Sequence, residues 1–321
     1  VHRVVDFHSH LTPAALMPPG GGVEYRDGVP VYTHNDLLPD VVRRLELMDA
    51  AGIDVSFLSS AAGFDAPLER CRAVNDALAE VAAGADGRLL GLAHAPPLDG
   101  AEALAELERA CGELGFRGVA TVTMNAGRPL DDPALEPFLA TVESLGAFLF
   151  VHAPLRNPSL SLDAFDRYDL FRTVGREFEL QLAVLRLILG GVLDRHPRLV
   201  IVVAHLGGGI SALWPRVRGY QDKTFWGTHE HAEHAAGAER DVDSYLDRLY
   251  FDTSGVFGAA SAIAVALEHI PPTQLVLGTD YPQQFRSLEP VDRFVGELER
   301  LEHGELILRR NGERLLDAVA A

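Results

Sequence analysis

A chain of 321 residues with 47% hydrophobic and 23% charged residues has the balance of an ordinary globular protein, which excludes disordered, collagen-like and disulfide-scaffold classes. The formal net charge of −18 makes nucleic acid and anionic membranes poor partners. Among the 28 cations the only lysine is Lys223, so a Schiff base or a carbamate-bridged metal pair would have to rest on that single residue.

The elements follow in chain order. An apolar run at residues 3–7 predicts a first strand; it is short and runs into histidines, unlike a signal peptide. The Gly- and Pro-rich segment 12–35 predicts a mouth loop or small hairpin. Val42, Leu45 and Met48 at helical spacing predict a helix over 39–51, followed by a strand at 55–59. An alanine-rich helix at 68–84 leads to a strand at 89–93. A helix at 101–114, opened by Asp99-Gly100 and closed by Gly115, leads to a strand at 118–122. A helix at 133–146, with proline early and glycine at its end, leads to a strand at 148–151. A long helix at 171–195 precedes a strand at 199–204 and a helix at 210–220. The polar stretch 221–243 predicts a loop insertion. A strand at 249–252, a helix at 259–269, a strand at 274–278 and helices at 289–302 and 305–319 complete the chain.

Eight strand-then-helix units predict an α/β fold, a (β/α)8 TIM-like barrel formed by one domain over 1–321, with a C-terminal extra helix at 304–321. An open doubly wound sheet is the alternative. It is disfavoured because neither Gly20-Gly21-Gly22 nor Gly207-Gly208-Gly209 has dinucleotide-binding spacing after a strand. Two cysteines, Cys71 and Cys111, cannot build a disulfide framework or a zinc–thiolate site, and they fit a reducing, cytoplasmic setting. No apolar run is long enough to span a membrane.

Chemistry-bearing residues collect where the predicted strands end. His8 and His10 follow the first, His94 the third, His152 the fifth, His205 the sixth, Asp252 the seventh and Asp280 the eighth. Barrels of this kind build active sites on that face. The two-residue period of a strand puts His8 and His10 on one side, and His152 and Asp280 would complete a set of three nitrogens and one oxygen. Such a set suits one zinc ion, with manganese, iron or cobalt as alternatives. His94 is expected to line the pocket. His229, His231 and His234 do not form H-E-x-x-H and read as a solvated loop.

The segments Asp6-Phe7-His8-Ser9-His10, Val151-His152-Ala153-Pro154, Ala204-His205-Leu206-Gly207-Gly208-Gly209 and Gly278-Thr279-Asp280-Tyr281-Pro282 resemble the amidohydrolase-related family. Within it the resemblance is strongest to aminocarboxymuconate-semialdehyde decarboxylase-like proteins. It implies one divalent metal held by His8, His10, His152 and Asp280, with His205 as acid/base beside a metal-bound water and Asp280 orienting that water. It implies that Arg44 and Arg216 bind a substrate carboxylate, Arg216 from a neighbouring subunit, and hence a homodimer. The expected activity is metal-dependent, non-oxidative decarboxylation of a small unsaturated or aromatic carboxylic acid, with no organic cofactor. Hydrolysis of an amide, ester or lactone, or hydration, at the same site is the alternative. The sequence departs from the family at Leu206 and at Gln283-Gln284, and these positions leave the substrate open.

Overall fold

The computed structural model describes residues 2–26, 28–155, 167–221 and 240–319. Lys223, His229, His231, His234 and most of the expected 221–243 insertion lie outside them.

Eight strands carry the site: β1 (Val5–His10), β2 (Val55–Ser59), β3 (Leu89–Gly91), β4 (Gly118–Val122), β5 (Phe148–His152), β6 (Val200–Val203), β7 (Leu249–Asp252) and β8 (Leu275–Val276). Strands β2, β4 and β5 are buried at every residue. Their near-continuous apolar character is that of parallel strands covered on both faces. The ladders run in parallel as β1-β2-β3 and β8-β7-β6-β5-β4. Two bridges join these arcs, Ala93 to Val119 and Ser9 to Tyr281. The second seam is reinforced by Phe7 N to Leu277 O at 2.8 Å, Asp280 N to His8 O at 2.8 Å and His10 N to Tyr281 O at 2.7 Å. The sheet thus closes into the expected (β/α)8 barrel.

Strand β1 has a local irregularity that sets the site. Asp6 opposes Ser56 and Ser9 opposes Leu58, so β1 holds one residue more than its partner. This bulge lets Phe7 and His8 both face inward. Phe7 packs on Phe57 at 5.2 Å and meets Phe148 across the barrel at 5.8 Å, flooring the interior. The His8 N–H, displaced from the ladder, donates to Asp6 Oδ1 at 3.1 Å. Asp6 also accepts from Ser56 Oγ, Thr279 N and Thr279 Oγ1, which ties β1 to both neighbours.

Among the longer helices are α1 (Val41–Ala51), α2 (Leu68–Ala83), α3 (Ala101–Gly112), α4 (Glu136–Ser144) and α5 (Arg176–Leu189). The Asp40 side chain caps α1 by accepting from Arg43 N, and Gly52 ends it at φ 68°. The span predicted as one helix at 171–195 is instead three pieces. A π-turn at Phe171–Gly175 leads into α5, Gly190-Gly191 breaks the chain, and a short helix at Val192–Arg195 follows. A side chain at Gly190 would lie 2.5 Å from the Arg186 carbonyl, and Gly191 has φ 71°, so glycine permits the break. Within 12–35, Gly22–Arg26 and Val29–His34 form an antiparallel hairpin. A final helix over Asn311–Ala318 packs against β1.

Candidate active site

β1 delivers His8 and His10 to the C-terminal mouth of the barrel, where β5 delivers His152 from the far side. Asp280 follows β8 and holds a left-handed φ of 50°, a strained setting for an aspartate. His8 Nε2 and His10 Nε2 face each other at 3.1 Å, and Asp280 Oδ1 lies 3.5 Å from the first and 3.1 Å from the second. His8, His10 and His152 offer ligand atoms within 4.8 Å of one another, as do His8, His205 and Asp280.

The outer nitrogens of the three histidines are already engaged. His8 Nδ1 donates to Asp252 Oδ2 at 2.8 Å, with Ser254 Oγ at 2.9 Å. His10 Nδ1 pairs with Ser59 Oγ at 2.9 Å. His152 Nδ1 donates to the Ala153 carbonyl at 2.8 Å. These contacts leave the Nε2 lone pairs aimed inward, as metal-ligating imidazoles require. Burial holds His10 neutral, its pKa lowered to about 4, and burial with the neighbouring histidines pushes His152 well below the ordinary value. Burial opposes the charge on Asp280, but the His10 contact and the surrounding histidines prevail and lower its pKa to about 2. Asp280 Oδ1 is nonetheless buried with no hydrogen-bond partner. Inward-facing imidazole nitrogens beside an orphaned carboxylate oxygen fit a divalent cation, and the inorganic chemistry of that donor set is the chemistry of zinc, manganese or iron sites.

His205 stands beside this cluster, its ring stacked 5.3 Å from that of His8. It opens a run of left-handed residues, with φ 54° at His205, 54° at Leu206 and 63° to 73° through Gly207, Gly208 and Gly209. Gly255 makes room for it, since a side chain there would lie 2.6 Å from His205 Cβ. The His205 N–H donates to Asp252 Oδ1 at 3.2 Å, so one buried aspartate orients both His8 and His205. His205 Nδ1 donates to Glu177 Oε1 at 2.9 Å, while Nε2 is buried, unpartnered and 3.9 Å from Asp280 Oδ2. Burial opposes a charge on this ring, but Glu177 overcomes it and raises the pKa to about 9.

The other expected site residues lie apart. Arg44 is buried on the side of β1 opposite His8 and His10. It donates to Ser9 Oγ at 2.9 Å and to the His10 carbonyl, and it covers the Tyr281 ring. Ser9 alternates outward along the strand, so a side chain on α1 reaches it rather than the barrel mouth. Arg216 is exposed and lies over Tyr220 at 4.8 Å, away from the cluster in this chain. His94 accepts from Ser60 N and packs on Phe64, which in turn stacks on His152 at 5.2 Å; His94 is therefore one layer behind the wall.

Arg176, Glu177 and Tyr32 were not among the expected residues. Arg176 and Glu177 open α5, whose N-terminal end lies at the barrel mouth. Tyr32 comes from the hairpin and approaches His10 edge-on at 6.3 Å. A charged pair in the first turn of the helix after β5 was the available signal. The π-turn that decides which way the pair faces has no sequence signature.

The amidohydrolase family pattern matches residues 5–316. The gamma-resorcylate decarboxylase of Rhodococcus jostii is 34% identical over 259 residues, covering 74% of this chain and 76% of its own. The solved 2,6-dihydroxybenzoate decarboxylase from Rhizobium superposes with a TM-score of 0.79 at 26% identity, over 99% of each chain. The dihydroxybenzoic acid decarboxylase of Polaromonas sp. JS666, solved with manganese and 2-nitroresorcinol, has the same fold. Its TM-score is 0.77 at 24% identity, over 99% of this chain and 97% of that one. No helix among the described residues is long and apolar enough to cross a membrane.

Proposed function

The chain belongs to the amidohydrolase family, and on that premise we propose its reaction: it is a metal-dependent, non-oxidative decarboxylase of an aromatic carboxylic acid, with 2,6-dihydroxybenzoate as its substrate type. One observation carries this reading. His8 and His10 meet His152 on one side and Asp280 on the other, and His205 stands beside them with an acid of its own, Glu177.

The residues that would hold the divalent ion are His8, His10, His152 and Asp280. When bound, it supplies Lewis-acid polarisation of an oxygen ligand. The donor set suits zinc, and manganese is the alternative. His205, kept protonated by Glu177, places a proton from Nε2 on the ring carbon that bears the carboxylate. The carbon–carboxylate bond then breaks, its electron pair restores the aromatic ring, and carbon dioxide leaves. One proton is consumed per turnover, and His205 regains it from water. An ortho-hydroxyl group makes that ring carbon more basic, which favours a hydroxybenzoate over a plain benzoate. Asp252 keeps His8 and His205 in register through both steps.

The test is incubation of metal-loaded protein with 2,6-dihydroxybenzoate, 5-carboxyvanillate and a panel of lactones, esters and amides. Carbon dioxide release from the acids is expected. Cleavage of the panel instead, with the acids untouched, would replace decarboxylation by hydrolysis. We also propose a homodimer in which the exposed Arg216 reaches the neighbouring subunit's site; sedimentation at a monomer's mass would remove that proposal.

A further inference from the structure

Arg176 is the least satisfied cation in the site wall. Among the described residues only its Nη2 finds a protein acceptor, the Val31 carbonyl in the hairpin. Its Nε is shielded from solvent with no acceptor, and its guanidinium lies 5.7 Å from the centre of the Phe171 ring. Among the described residues no carboxylate pairs with it. Its neighbours are all spoken for: Asp169 holds Arg172 at 2.6 Å, and Glu177 holds His205. The charge on Arg176 is nevertheless felt at the cluster. Asp280 stabilises it, and it helps keep His152 neutral. Arg176 therefore stands between the hairpin that carries Tyr32 and the ring of metal-binding side chains. A half-buried guanidinium with no carboxylate in hydrogen-bond contact among the described residues is costly, and an anionic ligand would complete it.

The chemistry of the reaction narrows what that ligand group is. The departing carboxylate becomes neutral carbon dioxide, so a guanidinium fastened on it would stabilise the ground state more than the transition state and oppose the reaction. An acidic oxygen that stays on the ring can be held throughout. We propose that Arg176 reads this retained group, a ring phenolate, and so sets the substrate class as aromatic acids bearing a second acidic oxygen. The inference rests on the decarboxylase reading above, and it makes Arg176 a specificity residue.

Direct binding to the metal-loaded protein tests it without turnover. Two probes separate the groups: 4-nitrophenolate has an anionic ring oxygen and no carboxylate, and benzoate has the reverse. Arg176→Met is expected to weaken 4-nitrophenolate roughly 10–100-fold, the worth of a charged hydrogen-bond pair, and to leave benzoate within about threefold. Arg176→Lys keeps the charge but loses the planar fork, and is expected to fall between wild type and Arg176→Met. Thermal melting and metal content check that each variant is folded and loaded. If Arg176→Met does not fold, the lysine variant alone decides, by the same selective weakening. Equal loss for both probes, loss for benzoate alone, or no loss for either would overturn the proposal. A wild-type protein that discriminates the probes yet releases no carbon dioxide from any acid would sink the decarboxylase reading and leave the anion site standing.

Discussion

Two walls face each other across the barrel mouth, and they are built on different principles. One is the ends of β1, β5 and β8 with the turn after β6, where His8, His10, His152, Asp280 and His205 are fixed by the sheet itself. The other is the first turn of α5 with the hairpin, where Arg176, Glu177 and Tyr32 are held by side-chain contacts between separate segments. The first wall supplies the reaction common to the family. On the proposal above, the second would supply the local charge that suits it to one kind of substrate. Rigid elements hold reacting groups more closely than connecting segments do.

Four measurements would break or sharpen that contrast. Removing the metal with a chelator acts wholly on the strand wall, and is expected to abolish turnover and lower the melting temperature, both restored by adding zinc or manganese. Activity unchanged after complete removal, checked by elemental analysis, would undo the assignment of the first wall. His205→Ala is expected to reduce kcat by ~10²–10⁴ with metal content retained. Loss of metal in that variant would move His205 into the ligand set. Asp252→Asn leaves every ligand in place but loosens His8, and is expected to weaken metal affinity ~10–100-fold in a competition titration. Glu177→Gln changes the second wall and reaches the first through His205. It is expected to lower kcat about tenfold at neutral pH, since it removes a charge-assisted hydrogen bond. The sign of its pH effect follows from the native ring, whose pKa is raised to about 9 by Glu177. Wild-type activity requires protonated His205 and falls as pH rises through about 9. Without the carboxylate the same fall comes at lower pH, and an unmoved alkaline limb would show that Glu177 does not tune the ring.

The strand wall was legible in the sequence because strands announce themselves. Residues 55–59, 118–122 and 249–252 are apolar runs with clear borders, and each begins and ends in the structure where the pattern does. His8 and His10 share a face by simple alternation, although the bulge just before them could not be foreseen. The second wall was not legible. Residues 171–195 carry helical spacing throughout, and only backbone hydrogen bonds distinguish the π-turn from the helix it precedes. Arg44 shows the reverse failure. Its sequence position beside Met48-Asp49 pointed to the pocket, yet the outward face of β1 offers it Ser9 and a carbonyl, and both Nη groups are taken there.

The seam between β1 and β8 gives the ion a role in the order of synthesis. His8 and His10 are synthesised some 270 residues before Asp280, so these two parts of the site meet only when the circle of strands is nearly finished. On the proposed ligand set, a chain interrupted before β8 would carry His8, His10 and His152 and lack Asp280, which brings the negative charge. Full-strength metal capture would then be a signal of completion. An ion held by His8, His10 and Asp280 would fasten the beginning of the barrel to its end, adding to a seam that the backbone closes with three hydrogen bonds.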